Sequence, residues 1–224
     1  MLPQSQSELP NPPAPLWLRI GFWICIVIAV AVVIRRLVAL VHPNPNPPPQ
    51  FAGMDDAFAS HAALTLAHIL PALAFVLVAP FVVFRRGQRT WPATFIYPLG
   101  LIVGVTAYAM TTYSIGGWTE RSAVFFFDTL FLISLAISYR HRGDSVLQRR
   151  WLLRAIAILL GIATTRPVMG IFFATSPLSH LTVHQFFGIA FWIGFSINTL
   201  VFELWLRSRD HRLQSREITA QSHA

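Results

Sequence analysis

The sequence predicts an all-α fold, a polytopic transmembrane bundle of six spans, and three observations predict it. Hydrophobic residues make up 54% of the 224 and charged residues only 12%, which is more apolar surface than a soluble domain of this size can cover. Uncharged runs recur from Leu16 to Leu206 at lengths near the roughly 20 residues that a helix needs to cross about 30 Å of hydrocarbon. All 17 basic residues are arginines, mostly in short loops between these runs and after the last one. That placement orients membrane helices, whereas a nucleic-acid face would gather the charge on one soluble surface, so nucleic acid is not an expected partner.

Taken in order, residues 1–15 read as a disordered cytoplasmic tail, with Glu8 the one acid and no basic residue before Arg19, unlike the charged start of a cleavable signal peptide. Ala29-Val30-Ala31 resembles a cleavage site, but Val32-Val33-Ile34 continues the apolar run, so the first span is expected to be retained. The membrane domain, residues 16–207, is expected to hold spans at residues 16–34, 61–84, 92–113, 122–139, 151–175 and 183–206. Between the first two, His42 to Pro49 is too rich in proline for a helix and reads as an extended linker, with Phe51 to Ser60 lying on the membrane surface. Residues 208–224 are polar and read as a fraying tail. No internal repeat divides the chain.

Orientation follows from the arginines. With the N-terminus inside, twelve fall on the cytoplasmic side, including Arg19, Arg85, Arg86, Arg89, Arg149 and Arg150, against only Arg35, Arg36 and Arg121 outside. Both termini are therefore expected in the cytoplasm of a cell-membrane protein, the bacterial inner membrane. Arg35-Arg36 runs against the rule and is expected either to snorkel outward or to face Asp55 and Asp56 of the outer loop. Trp17, Trp91, Trp118, Trp151 and Trp205 lie near span ends as interfacial anchors.

Ionisable residues inside the spans are costly, usually face the bundle interior, and are the main functional pointers here. At about 1.5 Å per residue, His68 in the second span, Asp128 in the fourth and Arg166 in the fifth share one level in the outer half. An Asp128–Arg166 ion pair bordered by His68 is the expected arrangement. His61, one face with His68, Tyr113 and His184 complete the candidate ligand-binding set, with Tyr113, Trp118 and Glu120 beside the Gly116-Gly117 turn as the rim of a pocket. Arg154 and Glu203 fall within a turn of the cytoplasmic face on the last two spans and are expected to form a structural ion pair. Gly100 and Gly104 space a small-xxx-small packing face.

No cofactor is expected from the motifs. Haem b between His61 and His184, at matching depth, is the alternative; a metal held by His61, His180, His184 and Asp55 or Asp56 would require the outer loops to fold over. The lone Cys25 builds neither a disulfide nor a thiolate site within one chain. No P-loop, dinucleotide fingerprint, Gly-x-Ser-x-Gly elbow or zincin helix is present, and no enzyme class follows. The reading is a membrane protein that binds or transports a small ligand at a polar site in the outer half; the alternatives are an accessory protein whose buried pairs only hold helices together, and haem- or quinone-linked electron transfer. Oligomeric state is not encoded in these signals.

The stretch His61-Ala62-Ala63-Leu64-Thr65-Leu66-Ala67-His68, the Gly116-Gly117 turn, Gln148-Arg149-Arg150-Trp151 running on to Arg154 and Thr165-Arg166, and Phe191-Trp192 through Asn198 to Glu203 together carry a resemblance. Over roughly residues 61–207 the chain resembles a bacterial family of predicted membrane proteins catalogued as domain of unknown function twenty-three hundred and six. The resemblance implies a multi-pass membrane protein and no particular activity. Where the family commonly places histidines, before the third span and before the Arg-Trp of the fifth, this chain has Gln88 and Gln148, which weakens a histidine-held cofactor.

Overall fold

The computed structural model describes residues 14–42, 49–84 and 91–222, and among them the chain is helical with no strand. The expected N-terminal tail, most of the proline linker, and Arg85, Arg86 and Arg89 lie outside the described residues. The helices are α1 (Leu16–Val41), α2 (Pro49–Ser60), α3 (Ala62–Val83), α4 (Trp91–Met110), α5 (Gly117–Arg140), α6 (Ser145–Leu159), α7 (Gly161–Ser179) and α8 (Val183–Ser222), with a 3-10 turn at Thr111–Tyr113 closing α4. Six segments are long and apolar enough to cross a membrane: α1, α3, α4 with its turn, α5, α6 together with α7, and α8 as far as Asp210.

Three expectations change. The first span does not stop at Ile34 but runs on to Val41, so Arg35 and Arg36 sit inside α1 rather than in a loop. The polar C-terminal segment continues α8 as helix to Ser222, with an Arg150–Asp210 salt bridge tying α8 to α6 near the start of that segment. The fifth span is two helices, not one. Leu160 ends α6 and Gly161 opens α7, and at Gly161 a Cβ would sit 2.6 Å from Phe195 Cδ1 of α8. Glycine there lets the α6–α7 junction lie hard against its neighbour.

That break decides the architecture. α6 packs against α5 and α8, whereas α7 packs against α8 and α1, so the fifth span crosses behind α8 between its two ends. The remaining contacts close a ring in the order α1, α3, α4, α5, α8, α7. The main core sits toward the α6 side of this ring, where Phe75, Ile96, Phe131, Leu152 and Ile156 are buried together. Gly100 and Gly104 of α4 take Leu135 and Leu132 of α5 at distances a side chain would forbid. Near the middle, Thr164 Oγ1 donates to Asn198 Oδ1 at 2.6 Å, and Cys25 Sγ lies 3.9 Å from Thr164 Oγ1 and 4.0 Å from Asn198 Nδ2. This small polar knot ties α1, α7 and α8.

At the end carrying the α3–α4 and α5–α6 connections, several polar groups serve the packing. Asp144 caps α6, its Oδ1 accepting from Val146 N and Leu147 N at 3.0 Å each. Ser138 Oγ donates to the Gln148 carbonyl, so it accepts from Tyr97 OH, which in turn accepts from Gln148 Nε2, all at 2.9 Å. The closed ring joins α4, α5 and α6. Arg154 meets Glu203 with two bonds, Nε to Oε2 at 2.9 Å and Nη2 to Oε1 at 3.2 Å, and lies over Trp151. The ion pair that helix depth predicts is therefore present.

Removing one member of that half-buried pair should cost about 2 kcal/mol: Glu203→Gln lowers the unfolding free energy in detergent by this amount, and an unchanged denaturation curve refutes the structural role. Packing gives a second expectation. At Gly188 of α8 a Cβ would lie 2.5 Å from Glu120 N, while at Gly170 nothing stands within 4 Å. Gly188→Ala should destabilise by about 1–3 kcal/mol and Gly170→Ala should be neutral or gain up to about 1 kcal/mol; the same thermal melts read both, and equal effects contradict the packing.

Candidate functional site

At the opposite end, α2 folds back over the ring. Met54 is 4% exposed and packs into a second cluster with Met169 of α7 and Phe187 and Ala190 of α8. The next residue, Asp55, takes both arginines of α1: Arg35 Nη2 reaches Oδ2 at 3.0 Å and Arg36 Nη1 reaches Oδ1 at 2.6 Å. One turn on, the Phe58 ring lies 4.1 Å beneath the Arg36 guanidinium, a cation–π contact. Thr65 of α3, with no exposed surface, donates to the Phe58 carbonyl at 3.1 Å. Of the two outcomes expected for Arg35-Arg36, the structure takes the acid, and it uses Asp55 while Asp56 stays exposed.

Beneath α2 lies Arg166. Its Nη1 is 3.7 Å from Met169 Sδ, and its Nε is buried with no hydrogen-bond partner. The charged side chains acting on it are Arg36, Arg35 and Glu120, and among the described residues no carboxylate oxygen comes within ion-pair distance of it. Glu120 is otherwise occupied, since its Oε2 accepts from Gly116 N at 2.7 Å. This holds the glycine turn, where Gly117 has φ +58°, a conformation suited to glycine.

The expected Asp128–Arg166 pair does not form. Asp128 Oδ2 is buried with no partner, but on α5, whose neighbours are α4, α6 and α8. Equal depth put the two residues level; the crossing at Leu160–Gly161 carries α7 to the α1 side, and α8 intervenes. His68 is not at Arg166 either. It faces α4, where Thr106 Oγ1 donates to the Ile102 carbonyl at 2.6 Å and therefore accepts from His68 Nδ1 at 3.0 Å. The trio is thus dispersed over three separate interfaces.

The other candidates serve the lid and its surroundings. His61 stacks on Tyr113 with ring centres 4.1 Å apart, and its Nδ1 lies 3.2 Å from the Ala57 carbonyl. His184 Nδ1 donates to the Ile115 carbonyl at 2.5 Å. In each of the three histidines Nδ1 is engaged. Among the described residues no three His, Cys, Asp or Glu side chains group with metal-binding geometry. Trp118 does not rim a pocket over the trio: it lines a shallow groove on the flank of α5 with Ser122, Phe125, Phe126, Thr129 and Leu130.

Sequence reasoning named Arg166 but missed its surroundings, Arg36, Met54 and Met169. The one available signal was the pair Arg35-Arg36 on the disfavoured side of the charge count; two methionines among many apolar residues carried none. No family model matches the chain, and no curated protein or solved structure matches it.

Because Asp128 and Arg166 occupy different interfaces, Asp128→Asn and Arg166→Gln should act independently, adding within about 0.5 kcal/mol in a double-mutant cycle. A coupling energy well above that, measured by equilibrium unfolding, would restore the direct pair.

Proposed function

We propose that the protein binds a small polar ligand, for storage or passage, in the space bounded by α1, α2 and α7, with Arg166 as the group the ligand satisfies. A guanidinium carried to this depth in an apolar bundle is expensive unless it is paired, and the observation that carries the reading is that Arg166 Nε is buried without a partner. Neighbouring positive charge from Arg35 and Arg36 raises that cost further. A residue retained against stability is the ordinary mark of a site under functional demand. In the orientation the arginine distribution favours, the α2 end faces the cell exterior and both termini lie in the cytoplasm, so the ligand arrives from outside or laterally from lipid.

The accessory reading is favoured by one observation, the two-bond Arg154–Glu203 pair, which holds α6 to α8 without needing a ligand. The two readings separate on a single variant. If Arg166 serves a ligand, Arg166→Met removes an unpaired buried charge and raises the unfolding free energy of the ligand-free protein by about 1–3 kcal/mol. If Arg166 serves the fold, the same change lowers stability, and the ligand reading fails.

A further inference from the structure

The arrangement around α2 indicates which chemistry would satisfy Arg166, and we infer that the ligand is a small oxyanion, a carboxylate or phosphate group, gripped between Arg36 and Arg166. This rests on the ligand-binding reading above and names its substrate class. The argument begins with charge. Three guanidinium groups, those of Arg35, Arg36 and Arg166, act on one another across the α1–α7 seam, while Asp55 is the one acid in ion-pair contact with any of them among the described residues. A neutral or cationic ligand would leave that excess in place. An oxyanion lowers it, and a planar guanidinium binds carboxylate or phosphate through paired, charge-assisted hydrogen bonds.

The site already displays this chemistry with a carboxylate of its own. Asp55 accepts from Arg35 through both of its oxygens and from Arg36 through Oδ1, so the α1 arginines are shaped to hold two oxygens of one acid. Arg36 is the shared member: it bonds Asp55 on the α2 side, and its charge acts on Arg166 on the other. Among the described residues Arg166 Nη1 meets only the weak acceptor Met169 Sδ, at 3.7 Å, a contact far short of what a guanidinium gains from an oxyanion. A ligand anion entering here therefore competes with Asp55 for Arg36, and Asp55 acts as the internal stand-in that it displaces.

The test uses the full chain purified in mild detergent, following thermal unfolding against succinate, inorganic phosphate, glucose and tetramethylammonium, and against phosphatidylglycerol set beside phosphatidylcholine in mixed micelles. An oxyanion should raise Tm saturably, and Arg36→Gln and Arg166→Met should each abolish the response. Asp55→Asn, which keeps the side chain's size but not its charge, should lower the half-saturating concentration about tenfold, in keeping with a lost charged competitor. A response to succinate or phosphate assigns a free anion; a response to phosphatidylglycerol alone assigns a lipid headgroup. If glucose or tetramethylammonium gives the Arg166-dependent shift instead, the ligand site stands and the oxyanion class is wrong. If no oxyanion, free or lipid-borne, shifts Tm while Arg166→Met still stabilises the protein, the class is overturned by that result too. Destabilisation by Arg166→Met sinks the underlying site as well.

Discussion

A chain this apolar has to satisfy its charges within itself, because a helix surrounded by hydrocarbon offers no water to do it. Most of the ionised groups inside its long helices obey that demand through contacts with adjacent elements: Arg154 with Glu203, Arg35 and Arg36 with Asp55. The polar side chains obey it as well, in the closed ring of Tyr97, Ser138 and Gln148 and in the Thr164–Asn198 knot. Buried atoms without a hydrogen-bond partner occur at Tyr113, Arg150 and Thr199 too, and two further exceptions are the informative ones. Asp128 and Arg166 each keep a buried atom without a hydrogen-bond partner, and α8 separates the helices that carry them. Only Arg166 lies among further charges of its own sign, which is why it, and not Asp128, anchors the functional reading.

Depth along each helix was legible in the sequence, and azimuth was not. Counting residues placed Arg154 level with Glu203, and their segments happen to pack side by side, so the pair follows. The same counting placed Asp128 level with Arg166, but nothing in the residue pattern announces that Leu160–Gly161 breaks the fifth span and redirects its second half. Gly161 was the physical clue, and a lone glycine in an apolar helix reads as ordinary packing until its neighbour, Phe195, is known. Span number survived because it depends on length and apolarity alone. The helix α2 stayed hidden behind a run of prolines, even though Arg35-Arg36 and Asp55 carried the charge pattern that fixes it.

The two ends of the bundle divide the work. Around α6, aromatic and aliphatic side chains from α3, α4 and α5 fill the interior, and Tyr97, Ser138 and Gln148 close a ring of hydrogen bonds. Around α2, Met54 packs on Met169, the neighbour of Arg166 Nη1, and Asp55 and Phe58 hold the α1 arginines. Stability is concentrated where no ligand is expected, and the uncompensated charge lies where the covering element is smallest.

That asymmetry gives the molecule a seam. Within α1 only Ile26 and Ala29 are buried, and the helix meets the rest of the ring mainly through α3 and α7, with Cys25 also reaching Asn198 of α8. α1 and α2 meet α7 along this seam, while α4, α5, α6 and α8 hold one another through interfaces of their own. Under the proposed function, the shortest approach to Arg36 and Arg166 is therefore sideways, from the plane where lipid would stand, a route open to an amphipathic molecule without crossing the packed interior.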